Sequence, residues 1–308
     1  MSLWSNTTPV VVNHMGALDG QPVPPNSLEA VAASLAAGAS VIEVDINALA
    51  SGDYLLVHDL DLEGETSGTG PVAGCTVEQA RTLRIKHRDQ ITPYAVPLLS
   101  DVVQLFQTSP GRARLQLDFK NVYPFPDDEP LQRLCRLIEP IADRVLVSSG
   151  ADWQLRKLRK LAPWLMLGFD VMYYVDWEPA AAQRDANDLP RTLGAYGYYD
   201  DHFLAARRTW HSTADYLRDR CESLLLAVPD VSVLYLRYTL IAQSLADGFN
   251  WAECCHAHRV QLDAWTMDVT NPGAVQAAPL LQEAGVDLFT TNTPRALAQL
   301  LGIKPGVG

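Results

Sequence analysis

The sequence contains little cysteine and no long apolar segment. Its five cysteines among 308 residues are an odd number, and none has the spacing of a common zinc motif. No stretch approaches the roughly 20 apolar residues of a membrane-spanning helix. The first residues also lack a basic segment followed by an apolar run. Provided that Met1 begins the native chain, we expect a reduced, cytoplasmic protein without disulfides, signal peptide or transmembrane segment.

The densest group of possible soft-metal ligands is a short cysteine and histidine run. It consists of Cys254, Cys255, His256 and His258. This spacing matches no common zinc pattern, whereas residues this close also fit within one turn of a helix. The sequence therefore favours a helix over a metal site here.

Basic residues are also in the minority. The chain has 24 Lys and Arg against 36 Asp and Glu, which gives a net charge of −12. This balance argues against binding to nucleic acid and against electrostatic docking on anionic membranes. It does not exclude a phosphate substrate, because a bound metal ion and a nearby lysine can set the local field.

The chain is organised around an acidic strand within residues 41–59. Successive side chains of a strand point to opposite faces, so Glu43 and Asp45 share one face while Val44 and Ile46 share the other. Two neighbouring carboxylates repel each other unless a cation lies between them. A hard divalent metal ion is the simplest such partner. The alternative is an exposed edge strand whose carboxylates are solvated.

Other strand-like segments end in groups suited to the same chemistry. An apolar run over 10–13 leads to His14, and the strand after the turn at 51–53 leads to His58. In the alternating segment 112–120, Asp118 and Lys120 share the face opposite the apolar residues. Polar groups gathered at strand ends are typical of an α/β barrel active site.

The order of these motifs resembles that of the glycerophosphodiester phosphodiesterase family, a set of TIM-barrel phosphodiesterases. Five family motifs have counterparts in this chain. His-Arg-Gly corresponds to His14-Met15-Gly16, and Pro-Glu-Asn-Thr corresponds to Pro24-Pro25-Asn26-Ser27. Ile-Glu-x-Asp corresponds to Ile42-Glu43-Val44-Asp45, His-Asp to His58-Asp59, and Glu-x-Lys to Asp118-Phe119-Lys120. Further counterparts are Gly68-Thr69-Gly70, Ala264-Trp265-Thr266 and Gly285-Val286-Asp287. The resemblance covers most of the chain but is thin between about 175 and 261.

The resemblance implies one (β/α)8 TIM-barrel domain over residues 1–308. Alternating strands and helices support a parallel sheet, and the chain exceeds the roughly 250 residues of a typical barrel. The alternation breaks at 173–216, an aromatic-rich excursion between the fifth and sixth strands. Such a segment acts as a lid that contacts the substrate or packs onto its own barrel, and the sequence leaves both alternatives open.

The resemblance also implies a metal-dependent hydrolysis of glycerophosphodiesters to glycerol 3-phosphate and an alcohol. Glu43, Asp45 and Asp118 would hold one Ca²⁺ or Mg²⁺ ion, since hard cations prefer carboxylate oxygens. His14 and His58 would divide proton removal from the glycerol hydroxyl and proton delivery to the departing alcohol.

Two further residues are implied to contact a small-molecule phosphodiester. Lys120 would bind a phosphate oxygen, and Trp265 would pack against the glycerol. For Trp265 the alternative is a core aromatic residue. The sequence indicates no oligomeric state.

Three departures from the family pattern leave other functions open. Met15 replaces the arginine that follows the first histidine, Pro25 replaces a glutamate, and Asp118 is one methylene shorter than the usual glutamate. A catalytically weak or silent member that binds a phosphorylated ligand would tolerate such changes. A phospholipase of the sphingomyelinase D kind is a further alternative, because that class resembles this family in fold and in using two histidines and a metal.

Overall fold

The computed structural model of the protein describes residues 8–177 and 212–303, and its centre is a closed barrel of parallel strands. The barrel strands are β1 Val10–Asn13, β2 Val41–Ala48, β6 Arg114–Phe119, β7 Val145–Ser149, β8 Met166–Asp170, β9 Val233–Arg237, β10 Gln261–Trp265 and β11 Leu288–Thr291. Their order is β1-β11-β10-β9-β8-β7-β6-β2, and pairing of β1 with β2 closes the barrel. The predicted (β/α)8 fold is therefore confirmed.

Helices follow the barrel strands and cover the outside of the barrel, apart from α2 Val77–Ala80, which belongs to a separate small lobe. They are α1 Leu28–Ala36, α2 Val77–Ala80, α3 Leu99–Thr108, α4 Glu129–Ile138, α5 Asp152–Leu161, α6 Thr213–Ala227, α7 Tyr238–Ala246, α8 Trp251–Ala257, α9 Pro272–Glu283 and α10 Pro294–Leu300. Helix α2 is a single turn that ends at Ala80, and a separate 3₁₀ turn that contains Pro140 follows α4.

The two faces of β2 have opposite roles, as its alternation predicts. Ile42, Val44 and Ile46 belong to the main hydrophobic core and are fully buried. Glu43 and Asp45 point the other way, into the barrel. The same strand therefore anchors the helical layer and presents two carboxylates to the barrel mouth.

A small lobe, residues 54–98, separates β2 from α3 and was predicted only in part. It contains β3 Tyr54–Leu55, which pairs with β2, and the hairpin β4 Arg84–His87 and β5 Gln90–Ala95. The sequence did not indicate this hairpin, because its turn places Arg88 and Asp89 at φ 50° and 61° without a glycine. The lobe has its own apolar core around Leu62, Leu83 and Ile85.

The predicted excursion at 173–216 lies mostly outside the described residues. Its first residues, 173–177, lie in a turn after β8, and α6 begins at Thr213, inside the predicted bounds. The cysteine and histidine run lies on α8 and just after it, as expected, and all five cysteines are free thiols. Within the described ranges, no helix is both long and apolar enough to cross a membrane.

Candidate active site

Three carboxylates from two neighbouring strands meet at the barrel mouth. Glu43 and Asp45 come from β2 and Asp118 from β6, where Asp118 pairs in register with Asp45. One oxygen of each side chain lies within 4.8 Å of the other two. The shorter side chain of Asp118 therefore still reaches the cluster.

Lys120 lies directly against this carboxylate cluster. Its Nζ is 3.0 Å from Asp45 Oδ1 and 2.5 Å from Asp118 Oδ2. Burial alone would lower the pKa of Lys120, but Asp118, Asp45 and Glu43 raise it well above its usual range. Burial alone would raise the pKa of Asp45, but the charges of Lys120 and the histidines lower it. This pair of groups is therefore ionised at neutral pH.

Glu43 differs from its two partners, because its charge is poorly compensated. Its carboxylate is 2% exposed. Oε2 accepts a hydrogen bond of 2.8 Å from the Met15 backbone N–H, whereas Oε1 is buried without a hydrogen-bond partner among the described residues. Burial, followed by the charges of Asp45 and Asp118, raises the pKa of Glu43 well above its usual range. A cation bound between the carboxylates would remove this penalty, so the donor set fits a hard divalent ion.

His14 follows β1 and is anchored by residues that the sequence did not reveal. Asp268 accepts from the Asn292 backbone N–H at 2.7 Å and from Asn292 Nδ2 at 2.9 Å. Because a carboxylate only accepts, the amide oxygen of Asn292 faces His14 Nδ1, 2.9 Å away. Neutral His14 therefore carries its proton on Nδ1. Its Nε2, 3.9 Å from Glu43 Oε2, is free to accept a proton.

His58 lies in the small lobe, at the end of the segment that follows β3. Its side chain is 53% exposed, and its Nδ1 lies 3.1 Å from Oδ1 of the adjacent Asp59. The charge of His58 contributes to lowering the pKa of Asp45, so the two groups interact electrostatically. The structure thus places His14 against Glu43, whereas the backbone of His58 contacts Asn47 of β2, two residues after Asp45.

Trp265 ends β10 on the opposite side of the mouth from Glu43 and Asp45. It stands in register with Arg237 of β9, whose guanidinium carbon lies 5.0 Å from the centre of the indole ring. Arg237 Nε is in turn 3.2 Å from Asp176 Oδ2. The indole N–H of Trp265 is buried without a hydrogen-bond partner among the described residues. One side of the ring is therefore covered by a cation, and its donor remains available.

The sequence profile of the Glycerophosphoryl diester phosphodiesterase family matches residues 14–296, which is most of the chain. The chain belongs to this family. The profile begins at the first predicted catalytic histidine and extends past the last barrel strand, β11, which ends at Thr291.

Similar proteins carry the same family name. A glycerophosphodiester phosphodiesterase of Caldanaerobacter subterraneus is 27% identical over 163 residues, which are 52% of this chain and 65% of that protein. One from Bacillus altitudinis is 30% identical over 161 residues, 50% of this chain and 64% of that protein. The chain thus spans slightly less than two thirds of the length of these relatives.

Solved structures of the family share the fold at low identity. A glycerophosphodiester phosphodiesterase from Parabacteroides distasonis has a TM-score of 0.64 at 16% identity, with 96% of this chain and 98% of that chain covered. A phosphodiesterase from Oleispira antarctica, in complex with the product sn-glycerol-3-phosphate, has a TM-score of 0.62 at 17% identity, with 96% and 97% covered.

Several polar residues at this family site escaped the sequence reasoning. Asn26 donates from Nδ2 to Asp45 Oδ2 at 2.8 Å, while the adjacent Ser27 caps α1. Asp170 ends β8, and burial together with the charge of Asp118 raises its pKa to about 7. Its place at the carboxyl end of a barrel strand is the sequence feature that could have identified Asp170 as a site residue.

Proposed function

We propose that the protein is a metal-dependent phosphodiesterase that hydrolyses glycerophosphodiesters to glycerol 3-phosphate and an alcohol. The observation that carries this proposal is the convergence of Glu43, Asp45 and Asp118 with Lys120 and His14 at the barrel mouth. The family match and the product-bound Oleispira antarctica phosphodiesterase support it. Residues 1–308 would form one domain of this family, since the profile spans 14–296.

The charges of the cluster suit an anionic diester once a cation is present. Three ionised carboxylates and the Lys120 ammonium sum to −3 + 1 = −2. One Ca²⁺ or Mg²⁺ held by Glu43, Asp45 and Asp118 would neutralise this charge and stabilise charge developing on the phosphate. Lys120, released in part from the carboxylates, would bind a phosphate oxygen.

The histidines would move protons on either side of the phosphorus. His14 Nε2, left free by the hydrogen bond from Nδ1 to Asn292, would accept the proton of the attacking glycerol hydroxyl. His58, which is more exposed, would donate a proton to the departing alcohol oxygen. Water would then complete the hydrolysis by the reverse proton transfers. The buried indole N–H of Trp265 would contact a glycerol hydroxyl.

Release of glycerol 3-phosphate from glycerophosphodiesters with choline, ethanolamine or glycerol head groups tests this proposal. Each substrate is assayed in chelator and with added Ca²⁺ or Mg²⁺, and we expect release only with the metal. His258→Ala, a change at an exposed histidine outside the site, serves as the matched control for His14→Ala. Full activity in chelator would refute the metal requirement. No release from any substrate would favour a silent phosphate-binding member, and cleavage of sphingomyelin in vesicles would favour the phospholipase alternative.

A further inference from the structure

The backbone that carries His58 is held from two sides by side chains outside the proposed chemistry. Glu65 Oε2 accepts hydrogen bonds from the backbone N–H groups of His58 and Asp59, at 2.6 and 2.9 Å. From the other side, Asn47 Nδ2 lies 3.0, 3.3 and 3.1 Å from the carbonyl oxygens of Val57, His58 and Asp59. Glu65 therefore accepts from the amides of His58 and Asp59, while the Asn47 amide donates toward the carbonyls of the same short segment.

Asn47 links this segment to the carboxylate cluster. It follows Asp45 by two residues on β2, so its side chain projects from the face that carries Glu43 and Asp45. Its side chain is fully buried, as is that of Asp45. The position of the His58 backbone is thus set relative to the same strand that presents two of the three carboxylates.

The position of the His58 imidazole depends mainly on its backbone, whereas the His14 imidazole is held by its own side-chain contact. The His14 ring is 25% exposed and is fixed through Asn292 to Asp268. The His58 ring is 53% exposed, and its nearest described polar contact is the carboxylate of the adjacent Asp59. A shift of the 58–59 peptide would therefore move the ring and the Asp59 carboxylate that contacts it together.

We propose that Glu65 is a positioning residue that, with Asn47, fixes the His58–Asp59 peptide and so sets the distance of the His58 imidazole from the carboxylate cluster. Hydrogen bonds from amides to a carboxylate are charge-assisted and stronger than those to a neutral acceptor. This inference rests on the proposed function, because it assigns Glu65 to the proton-delivery step of His58. Small displacements of a catalytic group cost large factors in rate.

Three variants of the small lobe separate this role from a general effect on folding. Glu65→Ala removes the acceptor, whereas Glu65→Gln retains a carbonyl acceptor without the charge. Glu63→Ala is the matched control, because Glu63 lies in the same loop and accepts from the Gly70 backbone N–H at 2.7 Å. We expect kcat on a glycerophosphodiester with an alkyl leaving group to fall about tenfold to hundredfold in Glu65→Ala. The KM should stay within about twofold, and Glu65→Gln should recover most of the rate.

The leaving group supplies a readout that a merely structural role would not affect. From a p-nitrophenyl ester of glycerol 3-phosphate the leaving group is p-nitrophenolate, which departs without protonation, so Glu65→Ala should cleave this substrate at nearly the wild-type rate. An equal loss on both substrates would overturn the assignment of Glu65 to proton delivery. A loss of similar size in Glu63→Ala would do the same.

Backbone amide hydrogen exchange tests the contact itself without any turnover. In the full-length protein we expect the His58 and Asp59 amides to be protected, and to exchange faster in Glu65→Ala but not in Glu63→Ala. Unchanged protection in Glu65→Ala would refute the hydrogen bonds, and lost protection with full activity would refute the positioning role. If wild-type protein cleaves no diester, the proposed function fails, whereas the exchange result still decides whether Glu65 holds this peptide.

Discussion

Replacing Glu43 with glutamine is expected to stabilise the cation-free protein and to abolish its response to Ca²⁺ or Mg²⁺. Glutamine keeps an oxygen that accepts from the Met15 N–H, and it converts the unpartnered Oε1 position into a donor toward Asp45 and Asp118. Removing a buried and poorly compensated carboxylate should contribute about 1–3 kcal/mol at neutral pH. The same substitution removes one of three cation ligands.

The sign of this effect follows from the raised pKa of Glu43. Between its unfolded pKa, about 4.3, and its higher folded value, the native state keeps a proton that the unfolded chain releases. The wild-type protein without a cation therefore loses stability as pH rises through this range. Glutamine cannot titrate, so the advantage of the variant should be larger at pH 7 than at pH 4.

Thermal melting in chelator and in increasing Ca²⁺ or Mg²⁺ measures both effects. A cation at 100 times its Kd stabilises the native state by about 2.7 kcal/mol, which corresponds to roughly 5 °C in a domain of this size. We expect that shift in the wild type and in the control Glu283→Gln, an exposed substitution on α9. The reasoning would be refuted if neither cation raised the melting temperature of the wild type. It would also be refuted if Ca²⁺ or Mg²⁺ raised the melting temperature of Glu43→Gln as much as that of the wild type.

Three further predictions concern the histidines and the barrel interior. His14→Ala and His58→Ala should each lower diesterase turnover by about 10²–10⁴-fold at an unchanged melting temperature, and wild-type rates in both would contradict the site. Burial raises the pKa of Asp263 to about 8, so between pH 5 and pH 7 the wild type should lose about 2 kcal/mol of stability relative to Asp263→Asn. Urea titrations at both pH values measure the free energy of unfolding. An equal loss of stability in the wild type and in Asp263→Asn between pH 5 and pH 7 would refute this prediction. Gly168→Ala should cost about 1–3 kcal/mol, because its Cβ would lie 2.4 Å from Tyr235 Cε2; a value within about 0.5 kcal/mol of wild type would contradict that clash.

The alternation of β2 and β6 was sufficient to predict the carboxylate cluster. Side-chain direction in a strand repeats every two residues, so Glu43, Asp45 and Asp118 could be assigned to faces from spacing alone. The barrel then brings the carboxyl ends of these neighbouring strands to one rim. Local pattern and global fold agree at these positions, which is why the three carboxylates lie together in the structure.

The supports of the two histidines could not be predicted in the same way. Asn292 stands 278 residues from His14 along the chain, and it reaches His14 because β1 pairs with β11. Glu65 lies in a loop rich in glycine and threonine, where no local pattern separates an acceptor of backbone amides from a solvated carboxylate. Both contacts depend on tertiary geometry rather than on the periodicity of one element.

The two proposed acid–base groups are thus anchored in different parts of the fold, and this makes them respond differently to change. His14 is tied through Asn292 and Asp268 to the strand ends of the rigid barrel. His58 belongs to the small lobe, whose apolar core around Leu62 and Leu83 is separate from the main core. A loss of packing in that lobe would move His58 relative to the carboxylates but leave the distance from His14 to Glu43 intact. Because Glu65 holds the His58–Asp59 peptide within the lobe and Asn47 joins that peptide to β2, proton delivery should be the step most sensitive to the integrity of the lobe.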